Sequence, residues 1–334
     1  MGNILLTDSC NRTCQFCFAQ ERLGRNVRRS DARPEDYTSF MSMERIEQLL
    51  DLMVASGEKQ FRLLGGEPSL HPQFLEIIHQ ALERDLNVLI FTNLIMPRSI
   101  VDALACLPSH RISILANVTP EQSDTPRMKE RVEYALQRLH QSTVVSLTIT
   151  APGFEYRFLI DLIKKYNLIK RIRVGIGMPI VGRDNQFLAT SDYKAVGTDI
   201  ARMAVVCNEH DILPGFDCGL TMCMFSREEM GVIADCTQGL DIVCHPIIDI
   251  GPNGEVWHCF PLSEVLNTHI DEFSTRGQIE DFYRQAVAPY TTIGCMNQCI
   301  DCDYKRRGQC HGGCLAHTMK HLDRLPPRRI SVTQ

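Results

Sequence analysis

The sequence predicts an α/β fold with a parallel sheet in its first part and a cysteine-rich region after it. Short apolar runs alternate with helical patterns over the first 210 residues, and most intervals between the runs have the length of one βα unit. Six parallel βα units form a partial or full barrel, or a doubly wound sheet. Both architectures place their chemistry at the C-terminal ends of the strands.

Six runs are short and apolar enough to be buried strands. They are Ile4–Thr7, Phe61–Leu64, Val88–Thr92, Ile112–Asn117, Val144–Ile149 and Ile172–Gly175. Their starts are separated by 57, 27, 24, 32 and 28 residues, and the last four intervals are ordinary for a strand, a helix and two loops. The first interval is longer because it holds an insert that carries cysteines.

Helical patterns fill the intervals between these runs. Residues 43–56 and 73–84 each carry apolar side chains at helical spacing, and Ser42 is suited to cap the first of these helices. Further helical patterns cover residues 98–107, 127–141, 155–166 and 192–209.

After about residue 211, regular helices are expected to give way to cysteines, glycines and short strands. A hairpin is predicted for residues 247–259, because Asn253-Gly254 is a strong turn signal between two short runs. We therefore expect a barrel over residues 1–212, a second domain over 213–322 and a mobile tail over 323–334.

Composition and charge exclude several classes of protein. The chain has 334 residues and a net charge of −5, which excludes a strongly basic nucleic-acid binder and a polybasic membrane binder. No apolar run reaches the roughly 18 residues of a spanning helix. The first 20 residues lack the apolar core of a secretion signal, so we expect a cytoplasmic protein. Its fifteen cysteines would stay reduced there, which makes metal ligation their leading explanation.

Cys10, Cys14 and Cys17 form a C-x3-C-x2-C motif directly after the first predicted strand. Three thiolates on one short loop can hold three irons of a [4Fe-4S] cluster, which leaves the fourth iron open to an external ligand. A three-cysteine zinc site or chance clustering is the alternative. The second predicted strand ends in residues 65–68, Gly-Gly-Glu-Pro, where two glycines allow a ligand to approach the backbone. Alone, that segment would also fit a plain βα turn.

Together, the two motifs resemble those of radical S-adenosylmethionine (SAM) enzymes over residues 3–210. The resemblance implies a partial (βα)6 TIM-like barrel, in which the three cysteines hold the cluster and SAM chelates the open iron. It also implies that Phe16 lies near the adenine of SAM and that Gly65, Gly66 and Glu67 meet its amino group. Asn93 and Asn117, at the ends of the third and fourth predicted strands, would contact other parts of SAM. Leu94 departs from the family pattern, which often has Thr-Asn-Gly at this point.

The resemblance also implies a reaction. An external electron donor of the flavodoxin or ferredoxin type reduces the cluster, the S–C5′ bond of SAM breaks, and a 5′-deoxyadenosyl radical abstracts a hydrogen atom from the substrate. The cofactor performs the difficult step, and the protein orients the reactants and excludes water.

The later cysteines resemble the SPASM extension of radical SAM enzymes, which binds one or two auxiliary [4Fe-4S] clusters. By that resemblance Cys244, Cys259 and Cys314 share one cluster, and Cys236 is a candidate fourth ligand. Either Cys218 or Cys223 could replace Cys236.

Cys299, Cys302 and Cys310 would hold the second auxiliary cluster, and Cys295 is the candidate fourth ligand. Two features depart from the family pattern: seven residues rather than five separate Cys302 from Cys310, and no cysteine follows Cys314. A zinc ribbon over residues 295–314 is the alternative. Its basic run would then contact nucleic acid, but such a run is more commonly a solvated face.

Four cysteines remain after this assignment. Cys106 and Cys207 lie in helical patterns and are expected to be buried apolar residues. Cys218 and Cys223 lie at the domain boundary, near the point where a seventh strand would reach the cleft. Either thiol could donate a hydrogen atom to a substrate radical, and Cys218 is the candidate catalytic residue; two structural thiols are the alternative. The single tryptophan, Trp257, is expected to be a packing residue.

The SPASM resemblance implies either a ribosomally made peptide or a small molecule as substrate. We expect a peptide that receives a crosslink or an oxidised side chain, captured in the cleft or through a separate recognition protein. A radical SAM enzyme acting on a small molecule is the alternative. A non-enzymatic iron–sulfur or zinc protein is the rival from another class, and it gives no role to the Gly-Gly-Glu segment.

Overall fold

A computed structural model describes residues 2–17, 40–118, 124–240 and 242–322. The strands are β1 Asn3–Leu5, β2 Gln60–Leu64, β3 Asn87–Thr92, β4 Ile112–Asn117, β5 Thr143–Ile149, β6 Arg171–Ile176, β7 Leu213–Phe216, β8 Asp249–Ile250, β9 Glu255–Trp257 and β10 Asn267–His269. They form a ten-stranded sheet in the order β10-β9-β8-β1-β2-β3-β4-β5-β6-β7. The predicted tail, residues 323–334, lies outside the described residues.

The first seven strands are parallel and lie side by side in chain order. This sequential order excludes the doubly wound alternative, in which the strand order reverses at a switch point. The predicted TIM-like partial barrel is confirmed, and all six predicted strands are present with ends shifted by at most two residues. Leu213–Phe216 adds the seventh parallel strand.

Helices connect the strands and continue into the cysteine-rich region. They are α1 Met43–Ala55, α2 Phe74–Glu83, α3 Arg98–Ala105, α4 Pro126–Arg138, α5 Arg157–Tyr166, α6 Tyr193–Asn208, α7 Arg227–Cys236, α8 Arg276–Thr291, α9 Asp303–Arg306 and α10 Leu315–His321. Ser42 caps α1 as predicted, because its side chain accepts the Arg45 N–H at 3.2 Å. The expectation that regular helices end near residue 211 is wrong. Both α7 and α8 start with a capping box, and α8 buries one apolar face.

The parallel strands present two different faces. One face, with Ile4 and Phe61 as examples, is fully buried against α1–α6 in the main core. The opposite face is the concave inside of the partial barrel, where Phe91, Ser146 and Arg173 are only half-buried. This face and the C-terminal ends of the strands bound the space in which a substrate can lie.

The cysteine-rich region continues the sheet beyond β1. β8 pairs with β1 in parallel through Ile250 and Ile4, and β9 runs antiparallel to β8. The Asn3 backbone and side-chain N–H groups donate to Asp249 Oδ1 at 3.0 and 2.8 Å. The predicted hairpin is therefore present with shorter strands, while the division of the chain at residues 212 and 213 stays a prediction. None of the helices in the described ranges is long and apolar enough to cross a membrane.

Candidate active site

The first cysteine loop follows β1 at the C-terminal end of the sheet. Cys10, Cys14 and Cys17 are half-buried, and the Cys17 N–H donates to the Cys14 carbonyl at 3.1 Å, which closes a turn. Cys10 Sγ accepts the Arg12 N–H at 3.4 Å and lies 3.9 Å from Asn93 Nδ2. N–H groups directed at sulfur favour the thiolate, which is the form that binds iron.

An apolar wall lies beside this loop. Leu5, Trp257 and Phe260 form a buried cluster against which Cys10 and Cys17 pack. Trp257 is a packing residue, as the sequence predicts, and its ring centroid lies 5.4 Å from that of Phe260. Apolar surroundings limit the access of water to a metal site, so this wall suits a cluster that must be protected from solvent.

A buried ion pair anchors the loop to the chain that follows β4. Arg12, between Cys10 and Cys14, pairs with Asp124, and Arg12 Nε lies 3.1 Å from Asp124 Oδ1. The same guanidinium donates to the carbonyl of Asn117 at the end of β4, at 3.3 Å. Sequence reasoning missed both charged residues, although an arginine inside a cysteine motif is a visible signal.

The Gly-Gly-Glu turn is bonded to the chain that leads into the cysteine loop. The Gly66 N–H donates to the Thr7 carbonyl and the Glu67 N–H to the Ser9 carbonyl, each at 2.8 Å. A Cβ atom at Gly65 would lie 2.8 Å from the Thr7 carbonyl oxygen, so this position requires glycine. The first glycine is therefore explained by the close approach of two protein segments.

Glu67 binds its own protein through its side chain. Its carboxylate is fully buried and accepts the Ser69 backbone and hydroxyl groups at 3.2 and 2.7 Å, the Thr92 hydroxyl at 2.8 Å and the Asn93 N–H at 2.9 Å. Burial raises the pKa of Glu67, and these hydrogen bonds oppose the shift. The carboxylate joins the ends of β2 and β3, and the predicted contact of this turn with SAM stays a prediction that concerns its main chain.

Asn93 connects the end of β3 to the cysteine loop. Its Nδ2 donates to Asn11 Oδ1 at 2.8 Å, and its Oδ1 accepts the Ile95 N–H at 2.9 Å. Leu94 adopts a φ of 63°, the left-handed region that glycine adopts without strain, and its side chain is fully buried. The backbone at Leu94 is therefore in a conformation that favours glycine, the residue that the resemblance leads one to expect here.

The other two predicted SAM contacts lie near this loop. Phe16 is half-buried within the turn between Cys14 and Cys17. Asn117 ends β4, and its Oδ1 accepts the Ser146 hydroxyl at 3.4 Å. The contacts of both side chains with SAM stay predictions.

Four thiols of the second region form one group. Burial raises the pKa of Cys259 well above its usual value, and the charges of Cys314, Cys244 and Cys218 add to the shift. Burial likewise raises the pKa of Cys314, with further contributions from Cys244 and Cys218. Cys236, the last residue of α7, is not among the main neighbours of these two thiols.

A second group of thiols lies around Cys299. Burial raises the pKa of Cys223, and the charges of Cys299, Cys310 and Cys302 add to that shift. The Cys295 thiol donates a hydrogen bond to Cys299, which lowers the pKa of Cys299 to about 6 and raises that of Cys295. The Cys295 and Cys299 side chains therefore lie close enough to share a hydrogen bond.

Three buried polar side chains near these groups have no hydrogen-bond partner among the described residues. They are the Tyr193 hydroxyl, both ring nitrogens of His258 and Nε2 of His317. Buried polar groups are nearly always paired, so a polar group is missing from their surroundings. Tyr193 is 2% exposed, and burial raises its pKa well above the usual value, with further contributions from Cys295, Cys314 and Cys223. Sulfide and thiolate are acceptors for such donors, so these residues fit iron–sulfur clusters.

Within the described ranges, no three His, Cys, Asp or Glu side chains are arranged as the ligands of a single metal ion. A cluster needs another arrangement, because each thiolate binds a separate iron.

The remaining predicted thiols are divided between surface and core. Cys207 is buried in α6 as expected, and burial raises its pKa to about 11. The expectation for Cys106 is wrong: it is exposed at the C-terminal end of α3, away from the buried Val101 and Leu104. Cys218 is exposed and lies two residues after β7, where the sequence places it at the cleft.

The parallel barrel and its cysteine loop together define a radical SAM fold. Residues 4–121 match the model of the Radical SAM superfamily. This first part of the chain is therefore similar to the Radical SAM superfamily, whose enzymes use a [4Fe-4S] cluster and SAM.

Solved structures share the fold over almost the whole chain. The structure of SuiB of Streptococcus suis bound to S-adenosylmethionine is similar to this chain with a TM-score of 0.67 at 15% sequence identity. The match covers 98% of this chain and 74% of SuiB. The structure of anSMEcpe with bound AdoMet is similar with a TM-score of 0.64 at 14% sequence identity. This match covers 96% of this chain and 94% of anSMEcpe. Both are similar to this chain in fold.

Sequence relatives are similar over shorter stretches. The 7-carboxy-7-deazaguanine synthase of Rhodopirellula baltica is 29% identical over 46% of this chain. The GTP 3',8-cyclase of Microcystis aeruginosa is 30% identical over 36% of this chain. The matched stretches span 53% and 36% of these two relatives.

Proposed function

We propose that this radical SAM enzyme modifies a ribosomally made peptide by forming a crosslink or oxidising a side chain. The observation that carries the proposal is the Cys10–Cys17 loop, which is bonded to the Gly-Gly-Glu turn at the C-terminal ends of the strands. When bound there, the cluster and SAM would supply a 5′-deoxyadenosyl radical, with one electron from an external flavodoxin- or ferredoxin-type donor.

The residues of the loop and turn have distinct roles in this proposal. Cys10, Cys14 and Cys17 hold the cluster, and the Arg12–Asp124 pair fixes the loop to the barrel. The main chain at Gly65 and Gly66 meets the amino group of SAM, while the Glu67 carboxylate keeps that turn in place. Phe16 borders the adenine, and Asn93 and Asn117 border the rest of SAM.

The concave face of the barrel would bind the substrate. Arg173 on β6 forms an ion pair with Asp217, and its guanidinium carbon lies 5.1 Å from the centre of the Phe91 ring. Both charged side chains are 36% exposed, so a substrate can reach them. A cation, a carboxylate and an aromatic ring side by side suit the amide and charged groups of a peptide.

The solved structures favour a peptide over a small molecule. SuiB has been solved bound to the precursor peptide SuiA, with a TM-score of 0.65 to this chain and coverage of 98%. The later cysteines support two auxiliary [4Fe-4S] clusters, with Cys244, Cys259 and Cys314 on one and Cys299, Cys302 and Cys310 on the other. These clusters would pass electrons or bind the substrate.

The second candidate is a reaction on a small molecule, which the sequence relatives favour because both are named for purine chemistry. Deuterium transfer separates the two candidates. The enzyme is incubated with SAM, a reductant and either deuterated short peptides encoded next to its gene or deuterated GTP. Deuterium in the released 5′-deoxyadenosine from a peptide supports the proposal, and deuterium from GTP alone contradicts it.

Cofactor content and cleavage test the enzyme class. Anaerobically reconstituted protein should hold about 12 iron and 12 sulfide per chain and should release 5′-deoxyadenosine from SAM. Cys14→Ala should abolish that release, whereas Cys106→Ala, at an exposed site on α3, should not change it. Stoichiometric zinc in place of iron, or normal cleavage by Cys14→Ala, would overturn the assignment.

The role of the auxiliary clusters is tested separately. Cys259→Ala should keep SAM cleavage but lose modification of the substrate, because the Cys10–Cys17 site is left intact. Unchanged substrate turnover would remove the auxiliary role.

A further inference from the structure

We infer that two arginines on the concave face of the barrel, Arg62 and Arg173, bind a carboxylate group of the peptide substrate. This inference rests on the proposed function, because it names the chemical group by which the barrel would select among peptides. The carboxylate belongs to an acidic side chain or to the C-terminus of the peptide. The charge of the strands and the way in which each guanidinium is held carry the inference.

The seven parallel strands carry charge of one sign only. They contain three arginines, Arg62, Arg171 and Arg173, and no aspartate or glutamate. The neighbours of Arg62 on β2 and of Arg173 on β6 are buried in the main core. Successive side chains of a strand point to opposite faces, so both arginines lie on the concave face. An anion that enters the barrel therefore meets positive side chains on its strands.

The Arg173 guanidinium is fixed at one edge. Its Nε donates to Asp217 Oδ1, and its central carbon lies 5.1 Å from the centre of the Phe91 ring. Within the described ranges, its two terminal nitrogens form no hydrogen bond to protein. Because the ion pair and the ring orient the guanidinium, these terminal groups can bind a carboxylate through two parallel hydrogen bonds with little rearrangement.

Arg62 is held in the same way. Its Nε donates to Gln60 Oε1 at 3.0 Å, which positions the side chain but leaves its charge uncompensated. It has no ion-pair partner in the part of the chain that the structure describes. Burial lowers the pKa of Arg62, and the positive charge of Arg173 adds to the shift. The two guanidinium groups therefore lie close enough to repel each other, and a bound anion would relieve this repulsion.

The two carboxylates near these arginines are engaged elsewhere. Asp249 is the negative charge that acts on Arg62, but its Oδ1 accepts the backbone and side-chain N–H groups of Asn3. Its Oδ2 accepts a backbone N–H at 3.2 Å. Asp217 is bonded to the Nε of Arg173. The terminal N–H groups of both arginines thus stay available to a ligand.

This pair of arginines lies near the proposed SAM contacts. Arg173 is paired directly with Ser146 across β5 and β6, and the Ser146 hydroxyl donates to Asn117 Oδ1 at 3.4 Å. Asn117 ends β4, where it is proposed to border SAM. A carboxylate bound to the arginines would hold one part of the substrate inside the barrel, so that another part can lie at the SAM site.

Protection from an arginine reagent tests the inference without any turnover. The anaerobically reconstituted full chain is treated with phenylglyoxal, and the modification of each arginine is followed by mass spectrometry. The probes are two acetylated and amidated tripeptides that differ only in a central glutamate or glutamine. The glutamate probe should protect Arg62 and Arg173 at an about tenfold lower concentration. Arg202, which is exposed on α6, should react equally with both probes present.

Two further probes identify the source of the anion. The glutamine tripeptide with a free C-terminus presents a terminal carboxylate, and stronger protection by it than by the glutamate probe assigns the site to the end of the peptide. The reverse order assigns it to an acidic side chain. Protection by inorganic phosphate and by none of the peptides would overturn the inference in favour of a small phosphorylated ligand.

Variants separate binding from folding. Arg62→Gln breaks no ion pair among the described residues, and Arg173→Lys keeps a cation beside Asp217. Each variant should lose the preference for the glutamate probe at the remaining arginine, with unchanged circular dichroism, whereas Arg202→Gln should retain it. Equal protection by the glutamate and glutamine probes, no protection by either, or an unchanged preference in both variants overturns the inference. Deuterium transfer from GTP alone would instead overturn the proposed function, and the two failures are distinct because protection needs no reaction.

Discussion

The carboxylate of Glu67 accepts the Thr92 hydroxyl through both of its oxygens, at 2.8 and 3.0 Å. Neither partner is open to solvent, since Glu67 is 0% and Thr92 4% exposed. The bond joins the ends of two neighbouring strands directly below the turn that is proposed to meet SAM. The geometry of that turn therefore depends on a contact between protein groups alone.

Removing this bond should weaken SAM binding. Thr92→Val keeps the shape of the side chain but leaves a buried carboxylate with one donor fewer, which should cost about 1–3 kcal/mol of unfolding free energy. Isothermal titration with SAM should show lower affinity for Thr92→Val and Glu67→Gln, and their effects should not add. Thr198→Val, on α6, is the matched control. Additive effects would show that the two residues act independently.

Breaking the Arg12–Asp124 pair should release the first cluster before the others. Asp124→Asn leaves a buried guanidinium without its counter-charge, which should cost about 3–5 kcal/mol. Iron retention after gel filtration should fall by about 4 per chain, the content of one cluster. Glu130→Gln breaks the exposed pair with Arg98 and should cost less than about 1 kcal/mol. Equal iron loss in both variants would contradict this account.

Tyr193→Phe should change a reduction potential and leave the iron content unchanged. A hydrogen bond to cluster sulfur stabilises the reduced, more negative state, so its loss should lower the midpoint potential. For a bond worth about 1 kcal/mol the expected change is about 40 mV in an EPR redox titration. The exposed Tyr304→Phe is the control. An unchanged potential would mean that the hydroxyl does not reach a cluster.

Asp249 should make stability fall as pH rises. Burial raises its pKa to about 6, while hydrogen bonds from Asn3 and Phe260 oppose the shift. Because this pKa is higher in the folded than in the unfolded chain, the stabilising contribution is present at low pH and lost as pH passes 6. Between pH 5 and pH 7.5 the loss should be about 1 kcal/mol in urea unfolding. In the Asp249→Asn variant, the unfolding free energy should lack this part of its dependence on pH. The same pH dependence in the variant and the parent protein would refute the role of Asp249.

Strands and their order were predictable because parallel βα units repeat a simple pattern of apolar runs at regular intervals. The later helices were harder, since α8 contains Gly277 and Pro289, which weaken helical propensity. The helical pattern of α8 was still visible in the sequence, because Ile279, Tyr283 and Val287 recur every four residues. All three are buried on one face of the helix.

The site was predictable only in part. Motif spacing identifies Cys10, Cys14 and Cys17, since all three lie on one loop. The partners of Arg12 and Glu67 are set by how neighbouring strands align, and Asp124 lies 112 residues from Arg12 in the chain. Such pairs have no local pattern, so sequence spacing alone could not find them.

The pairing of β8 with β1 makes the barrel and the cysteine-rich region depend on each other. β1 leads into the first cysteine loop, and β8 covers the side of β1 that β2 does not. A shortened protein ending near residue 212 would expose the backbone N–H and C=O groups on that side of β1. Such an unpaired strand edge can pair with strands of other chains. The boundary that is natural in the sequence would therefore be a poor place to cut the molecule, and expression of the barrel alone should yield aggregates.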